Sequence, residues 1–341
     1  SLGVRLRPHV KTCKSIDVAR ALVDSPAGPI TVSTLKEAEQ FLGHGVTDIL
    51  YAVGIAPGKL DHVMALRARG ADLAVVVDSV EAAQAVAAKG AGIPALIEID
   101  CDGHRAGVKP GHPVLLDIAK ALARGARPAG VMTHAGDSYN CRTTQAIADM
   151  AERERGAVVK SAAVLRSGGF ACPVVSVGST PTATFARSLE GVTEVRAGVF
   201  VFHDLVMAGL GVCRVEDIAV SVLCTVIGHQ REKGWVITDG GWMATSRDRG
   251  TAKQAVDQGY GLVCDEAGRA IGDLVVTDAN QEHGIVGRRD GQPFDVAQYP
   301  VGTRLRILPN HACATAAQHD AYHVVRGGTE VVARWPRFGG W

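Results

Sequence analysis

Val-Arg-Leu-Arg-Pro-His-Val-Lys, residues 4–11, is the stretch that decides the fold of this chain. Polar and apolar side chains alternate along it, so Arg5, Arg7, His9 and Lys11 share one face of a β-strand. In a parallel barrel this polar face points inward, and active sites form at the carboxyl ends of the strands. We therefore expect Lys11 at the mouth of a barrel as an amine nucleophile, with a solvated strand-end lysine as the alternative.

Strand-like runs alternate with Ala-rich helical runs through the first 200 residues. This alternation predicts parallel strands joined by crossover helices. Eight strands favour an α/β fold with a closed (β/α)8 barrel of the TIM type over an open doubly wound sheet, and no GxGxxG motif follows the first strand. The strand candidates are residues 4–10, 30–33, 48–53, 73–78, 95–100, 130–134, 174–178 and 194–199.

The pattern changes after residue 209, where β-rich runs separated by turns replace the helices. We therefore predict two domains, a barrel over residues 1–208 and a β domain over residues 209–341. The strand candidates of the second domain are residues 219–230, 234–239, 273–277, 303–308, 321–326 and 330–335.

Charge and composition exclude several classes of protein. The 341 residues include 36 Lys+Arg and 35 Asp+Glu, so the chain lacks the basic excess of a nucleic-acid binder. No apolar run is long enough to span a membrane, and the first residues lack the apolar core of a signal peptide. The eight cysteines form no CxxC pair, which indicates free thiols in a reducing cytoplasm.

Two turns near the end of the predicted barrel are candidates for phosphate binding. Gly178, Ser179 and Thr180 follow a buried strand, and Arg196, Gly198 and Val199 end the next one. Backbone amides and hydroxyls at such turns bind phosphate, and the last two strands of a barrel are the usual place for this site. An ordinary helix N-cap would use the same residues, so both interpretations remain open for residues 178–180.

His311 and Cys313 flank Ala312 directly after the apolar run 305–308. On a strand, positions i and i+2 share a face, so an imidazole and a thiolate could bind one Zn²⁺ there and leave coordination positions open. A pair of buried neutral neighbours is the alternative. Two polar clusters after predicted strands, one with Arg105 and one with His134 and Tyr139, could line an active site or could be ordinary loops.

Seven motifs together resemble the fold type III, alanine-racemase-type enzymes that use pyridoxal 5'-phosphate (PLP). Within them the chain is most similar to the D-serine dehydratase/D-threonine aldolase branch, and the resemblance covers essentially the whole chain. The motifs are residues 7–12 (RPHVKT), 97–108 (IEIDCDGHRAGV), 133–139 (THAGDSY), 177–182 (VGSTPT), 194–202 (EVRAGVFVF), 280–284 (NQEHG) and 309–313 (PNHAC).

The resemblance implies a role for each candidate residue. Lys11 would form the Schiff base with PLP and act as the base at Cα. Arg196 would face the pyridine nitrogen, and Arg105 would lie near the phenolic oxygen of the ring. His134 and Tyr139 would line the pocket, and the phosphate would be held by Gly178, Ser179, Thr180, Gly198 and Val199. His311 and Cys313 would bind Zn²⁺, with Mn²⁺ or another divalent ion as the alternative.

The implied reaction is dehydration of a 3-hydroxy D-amino acid, such as D-serine or D-3-hydroxyaspartate, to a 2-oxo acid and ammonia. One alternative is a metal-dependent aldolase of the same branch, in which the metal pair is usually His-x-Asp. The other is a PLP carrier without turnover, which would resemble the barrel alone. The resemblance also implies a homodimer, and it leads us to expect that a segment before the Lys11 strand is missing from this sequence.

Overall fold

The computed structural model describes residues 2–340, which divide into two compact units. The first unit extends to Gly198, and the second runs from Val199 to Gly339. The sequence analysis placed this division later, at residues 208/209. The intervening residues belong to the second unit because Leu205 packs into a buried cluster there, with Leu262, Cys264, Val275 and Leu308.

Parallel strands form the sheet of the first unit, in the order β1-β8-β7-β6-β5-β4-β3-β2. Beyond β1, an isolated parallel bridge joins His9 to Thr31 of β2, and the amide of Val10 donates to the carbonyl of Thr31 at 2.9 Å. This bridge closes the ring, and the predicted (β/α)8 barrel is confirmed. The strands are β1 (Arg5–Leu6), β2 (Ile30–Val32), β3 (Asp48–Gly54), β4 (Asp72–Val77), β5 (Pro94–Ile99), β6 (Arg127–Thr133), β7 (Val174–Val177) and β8 (Glu194–Val195).

Helices connect these strands, and several begin at the cap residues that their sequences favour. The hydroxyl of Ser79 accepts from the amide of Ala82, and that of Thr143 accepts from the amide of Ala146. The helices are α1 (Ile16–Arg20), α2 (Leu35–Gly43), α3 (Leu60–Ala68), α4 (Val80–Lys89), α5 (Val114–Leu122), α6 (Thr144–Ser167) and α7 (Thr180–Phe185).

The second unit contains a closed antiparallel barrel, in the order β10-β13-β12-β11-β14-β9, and a separate hairpin of β15 and β16. Fully buried aliphatic side chains such as Val226, Val236, Val276 and Ile307 fill this barrel. Its strands and those of the hairpin are β9 (Val222–Gln230), β10 (Trp235–Thr238), β11 (Leu262–Cys264), β12 (Ala270–Ala279), β13 (Gly284–Arg288), β14 (Arg304–Leu308), β15 (Ala321–Val325) and β16 (Val331–Pro336).

Three short helices complete the second unit: α8 (Leu205–Gly209), α9 (Trp242–Thr245) and α10 (Ala312–Ala316). The last of them corrects a prediction, because His311 and Cys313 do not lie on a strand. Strand β14 ends at Leu308, and Pro309 has no amide to continue the ladder. His311 is the N-cap residue of α10, and Cys313 lies in its first turn.

Two further properties follow from the described residues. None of the helices within residues 2–340 combines the length and the apolar character needed to cross a membrane. All eight cysteines are free thiols, and five of them are buried: Cys13, Cys101, Cys172, Cys224 and Cys264.

Candidate active site

Lys11 lies in the turn that follows the His9 bridge, at the carboxyl end of the first strand, and its side chain is exposed. The amide of His9 donates to the carbonyl of Ala197 at 2.7 Å, which joins this turn to the segment after β8. A Cβ atom at Gly198 would lie 2.9 Å from the carbonyl oxygen of His9 and 3.1 Å from Oγ1 of Thr12. Glycine at position 198 therefore allows the end of β8 to approach the Lys11 turn.

Arg196 follows β8 directly and is 4% exposed. Its Nε donates to Oγ of Ser176 at 2.8 Å, and its Nη2 donates to the carbonyl of Thr133. The hydroxyl of Ser176 in turn donates to Glu194, at 2.8 Å. These bonds fix the guanidinium group between the ends of β6, β7 and β8.

His134 follows β6, and its Nδ1 lies 2.6 Å from the carbonyl oxygen of Gly178. Since a carbonyl can only accept, Nδ1 carries the proton and Nε2 is left as an acceptor. Burial, together with the charges of Lys11, Arg105 and Arg196, lowers the pKa of His134 to about 3. The imidazole is therefore neutral at physiological pH.

His9 is affected by two of the same positive charges as His134. Burial first, and then the charges of Lys11 and Arg196, lower the pKa of His9 well below its ordinary value. The positive charges of Lys11 and Arg196 thus act on both imidazoles, and charges of this sign suit an anionic ligand. The sequence analysis assigned His9 to the polar face of the first strand but gave it no role.

Arg105 and Tyr139 lie at the border of this cluster. Arg105 is in the loop after β5, where Nη2 is 3.9 Å from Oε1 of the buried Glu98, and its side chain is largely exposed. Tyr139 lies in a short 3₁₀ turn, Gly136–Asn140, with its ring centroid 6.5 Å from that of His134.

The predicted phosphate turn is also a helix cap. Oγ of Ser179 accepts from the amide of Thr182, and Thr180 is the first residue of α7. Gly178 has φ +156°, and a Cβ atom there would lie 1.7 Å from the carbonyl oxygen of Arg196. Glycine is thus required for β7 and the segment after β8 to lie side by side. Val199, the last of the phosphate candidates, is buried and begins a 3₁₀ turn of the second unit.

Glu154 is a residue of this region that the sequence analysis missed. It lies between Arg153 and Arg155, a run of charges typical of a solvated helix face, but Glu154 itself is 2% exposed. One of its oxygens accepts from the amides of Ala135 and Gly178, at 2.9 and 3.1 Å. Helical spacing was the available signal, because Glu154 lies on the same stripe of α6 as Met150, Ala151, Ala157 and Val158.

In the second unit, His311 and Cys313 are neighbours, and their side chains form a hydrogen bond. Nδ1 of His311 lies 2.8 Å from Oδ2 of Asp248. Burial alone would lower the pKa of His311, but the bonds with Asp248 and Cys313 raise it to about 10. Asp248 comes from a loop far upstream, so no local sequence pattern could have identified it.

Two buried residues hold the His311–Cys313 segment in place. Asp204 caps α8 by accepting from the amide of Met207 at 2.9 Å, and its other oxygen accepts from the amide of Ala312 at 3.0 Å. The side chain of Asn310 donates to the carbonyls of Asp248 and Gly259, at 3.0 and 2.7 Å. The imidazole is thereby oriented with Nδ1 toward a carboxylate, an arrangement typical of metal-binding histidines.

Both units match families of known proteins. Residues 1–205 match the family model of the alanine racemase N-terminal domain, and residues 219–325 match that of a putative serine dehydratase domain. The D-threo-3-hydroxyaspartate dehydratase of Delftia sp. (strain HT23) is 58% identical over 99% of this chain and 91% of that protein. Its solved structure has a TM-score of 0.96 at 57% identity, and the match covers 100% of this chain and 92% of that chain.

Two further relatives are more distant. A D-serine dehydratase of Dictyostelium discoideum is 30% identical over 97% of this chain and 89% of that protein. A D-threonine aldolase of Arthrobacter sp is also 30% identical, over 95% of this chain and 83% of that protein.

Variants of a D-threo-3-hydroxyaspartate dehydratase have also been solved, each at 57% identity with a TM-score of 0.96. One variant replaces a histidine by alanine. The other, in a metal-free form, replaces a cysteine two positions further along. His311 and Cys313 have the same spacing in this chain.

Proposed function

Because this chain belongs to the family that joins an alanine racemase N-terminal domain to a serine dehydratase domain, we propose that it is a PLP- and metal-dependent dehydratase of 3-hydroxy D-amino acids. The observation that carries this proposal is the 58% identity to a D-threo-3-hydroxyaspartate dehydratase across both domains. The substrate would be D-threo-3-hydroxyaspartate, with D-serine as a second substrate. The enzyme would be a carbon–oxygen lyase that releases a 2-oxo acid and ammonia.

The residues of the first unit fit PLP. Lys11 and Arg196 lie close enough to His9 and His134 to add to the lowering of their pKa values by burial, and these positive charges suit an anionic cofactor. Lys11 would hold the cofactor covalently, and Arg196 and Arg105 would face its ring. His134 and Tyr139 would line the pocket, and the phosphate would be held by Gly178, Ser179, Thr180, Gly198 and Val199.

The residues of the second unit fit a divalent metal ion. With Nδ1 of His311 bonded to Asp248, Nε2 is the ring nitrogen left for a ligand. One nitrogen and one sulfur ligand suit a borderline-soft ion, so we propose Zn²⁺ rather than Mn²⁺ or Mg²⁺ at His311 and Cys313.

PLP, the metal ion and the surrounding side chains would have different roles in the reaction. PLP, when bound, supplies an electron sink for the charge that develops at Cα, and the metal ion supplies Lewis-acid stabilisation of the departing hydroxide. The amine of Lys11 removes the Cα proton. His134 stays neutral and donates from Nδ1 to Gly178, so it orients the pocket without taking part in proton transfer at neutral pH. Arg196 is held by Ser176 and Thr133 and would keep a positive charge beside the ring of the bound cofactor.

A single incubation distinguishes the proposed reaction from its alternatives. Purified enzyme with D-threo-3-hydroxyaspartate, D-serine or D-threonine should release ammonia and a 2-oxo acid. Release of glycine and an aldehyde instead would identify an aldolase, and absence of both would favour a PLP carrier. The Lys11→Ala variant should lose both the ammonia release and the visible absorbance of the bound cofactor. An unchanged spectrum in that variant would contradict the PLP assignment.

We also propose a cytoplasmic homodimer. The eight free thiols support a reducing compartment. Light scattering of the purified protein, which should give twice the chain mass of 35.6 kDa, tests the oligomeric state.

A further inference from the structure

Glu154 is a buried carboxylate that the proposed reaction does not use. It lies in the middle of α6, is 2% exposed and accepts three hydrogen bonds. Oε1 accepts from the amides of Ala135 and Gly178, at 2.9 and 3.1 Å, and Oε2 accepts from Oγ1 of Thr182 at 2.7 Å.

These donors come from two separate segments. Ala135 follows β6 and is adjacent to His134, whereas Gly178 and Thr182 belong to the turn between β7 and α7. Gly178 is bound on both sides, because its amide donates to Glu154 and its carbonyl accepts from His134 at 2.6 Å. Glu154 therefore links the ends of two adjacent barrel strands through one side chain.

The backbone conformation and the hydrogen bonds of the turn that Glu154 holds are closely constrained. Its first residue, Gly178, has φ +156°, a conformation that side-chain-bearing residues rarely adopt. The hydroxyl of Thr182 donates to Glu154 and at the same time accepts from the amide of Ser179 at 3.2 Å. The amides and hydroxyls of the turn are thus oriented by bonds that end at the carboxylate of Glu154.

We propose that Glu154 is a positioning residue that fixes the turn Gly178–Thr180 for the phosphate of PLP. This inference rests on the proposed function, because it needs a cofactor phosphate at that turn. The role depends on accepted hydrogen bonds, and glutamine can keep the two from the backbone, because its oxygen accepts from both amides. The third bond is reversed: the NH₂ group donates to Oγ1 of Thr182, whose own proton can be donated to the carbonyl of Ser179.

The test compares the affinity of full-length apoenzyme variants for PLP and for pyridoxal, which lacks the phosphate. Glu154→Ala leaves two buried amides and a hydroxyl without their acceptor, so we expect the Kd for PLP to rise roughly 10- to 100-fold. The Kd for pyridoxal should change less than about threefold, because the phosphate turn does not hold the ring. Glu154→Gln should restore the PLP affinity to within about threefold of wild type.

Glu152→Gln is the matched control, since Glu152 lies on the same helix, is exposed and pairs with Arg155. It should leave both Kd values unchanged. If Glu154→Ala does not fold, Thr182→Val replaces it and should raise the Kd for PLP about threefold or more, without affecting pyridoxal.

Three results would overturn the inference: an unchanged Kd for PLP, an equal loss for PLP and pyridoxal, or a Glu154→Gln variant as weak as Glu154→Ala. The first two would indicate no role or a purely structural one, and the third would indicate that the charge matters instead. Wild-type enzyme that binds no PLP would instead contradict the proposed function, so the two failures are distinguishable.

Discussion

His134 has a neutral imidazole at the mouth of the first barrel, which makes stability depend on pH. Its pKa is about 3 in the folded protein, whereas an unfolded histidine titrates near ~6.5. Below that value the unfolded chain binds a proton that the folded protein does not. The stability contributed by the neutral ring is therefore present above pH ~6.5 and is lost as the pH falls toward the folded pKa.

We expect the free energy of unfolding of the apoenzyme to fall by about 1–2 kcal/mol between pH 7 and pH 5 through His134 alone. In His134→Gln this part of the pH dependence should disappear, as measured by urea unfolding at both pH values. The exposed His62, replaced by Gln, is the control and should leave the dependence unchanged. Equal pH dependence in wild type and His134→Gln would show that the folded ring titrates normally.

Asp248 acts on the candidate metal site through His311. Its Oδ2 lies 2.8 Å from Nδ1 of His311 and orients the ring, so that a metal ion would bind at Nε2 in place of a proton. Asp248→Ala should weaken Zn²⁺ binding about 10- to 100-fold, in competition with a chelating indicator. Asp273→Ala, in which an exposed carboxylate of the same unit loses its pairing with Arg289, should bind Zn²⁺ like wild type. Equal affinity in the two variants would exclude the orienting role.

At the scale of secondary structure, two glycines inside regular elements have opposite constraints. Gly156 lies inside α6, and a Cβ atom there would meet nothing within 4 Å. Gly130 lies in β6 with φ +146°, and its Cβ atom would lie 1.9 Å from the carbonyl oxygen of Val174. Gly156→Ala should therefore stabilise the protein by about 0.5–1 kcal/mol. Gly130→Ala should destabilise it by about 3 kcal/mol or more, if it folds.

Thermal and urea unfolding of both variants measure these changes. If Gly156→Ala were destabilising, the helical conformation of α6 at residue 156 would be contradicted, because alanine favours that conformation over glycine. A tolerated Gly130→Ala would mean that β6 and β7 can separate without loss of the barrel.

Secondary structure could be predicted where neighbouring residues in the sequence determine it. The prediction failed where contacts between residues distant in sequence determine it. Most of the barrel strands were recognisable because they are buried apolar runs followed by a helix, as β4 is followed by α4 with its cap residue Ser79. Strands β11 and β13 were missed because they are short and include or adjoin glycine, and their pairing comes from distant strands. His311 was placed on a strand because its own side chain does not cap α10, and the carboxylate that accepts from the first amide of this helix belongs to Asp204, distant in sequence.

The residues of the candidate site likewise include some that local sequence predicts and others that only the fold brings together. Lys11 and His134 could be predicted from their positions at the ends of strands, since strand ends converge in a barrel. Glu154 could have been found from helical periodicity, although its charged neighbours pointed to solvent. Asp248 could not be found, because only the folded second unit brings it to His311.

At the scale of the whole chain, the net charge does not indicate how an anionic cofactor would be attracted, whereas the charges of individual residues do. The formal charge of +1 gives no long-range attraction for an anionic cofactor or substrate. The positive charge is instead local: besides burial, Lys11 and Arg196 lower the pKa of both His9 and His134. Binding of PLP should therefore depend on individual residues such as Arg196 rather than on the overall charge of the protein.

The residues proposed for PLP and those proposed for the metal ion belong almost entirely to different units. Apart from Val199, the residues proposed for PLP belong to the unit that ends at Gly198, and the proposed metal pair belongs to the other. Removal of the metal by a chelator should therefore leave the cofactor absorbance in place. Ammonia release should fall roughly 100-fold or more, because unassisted hydroxide is a poor leaving group, and added Zn²⁺ should restore it. Loss of absorbance together with the metal would show that the metal is needed to hold PLP, and undiminished ammonia release would show that elimination proceeds without it.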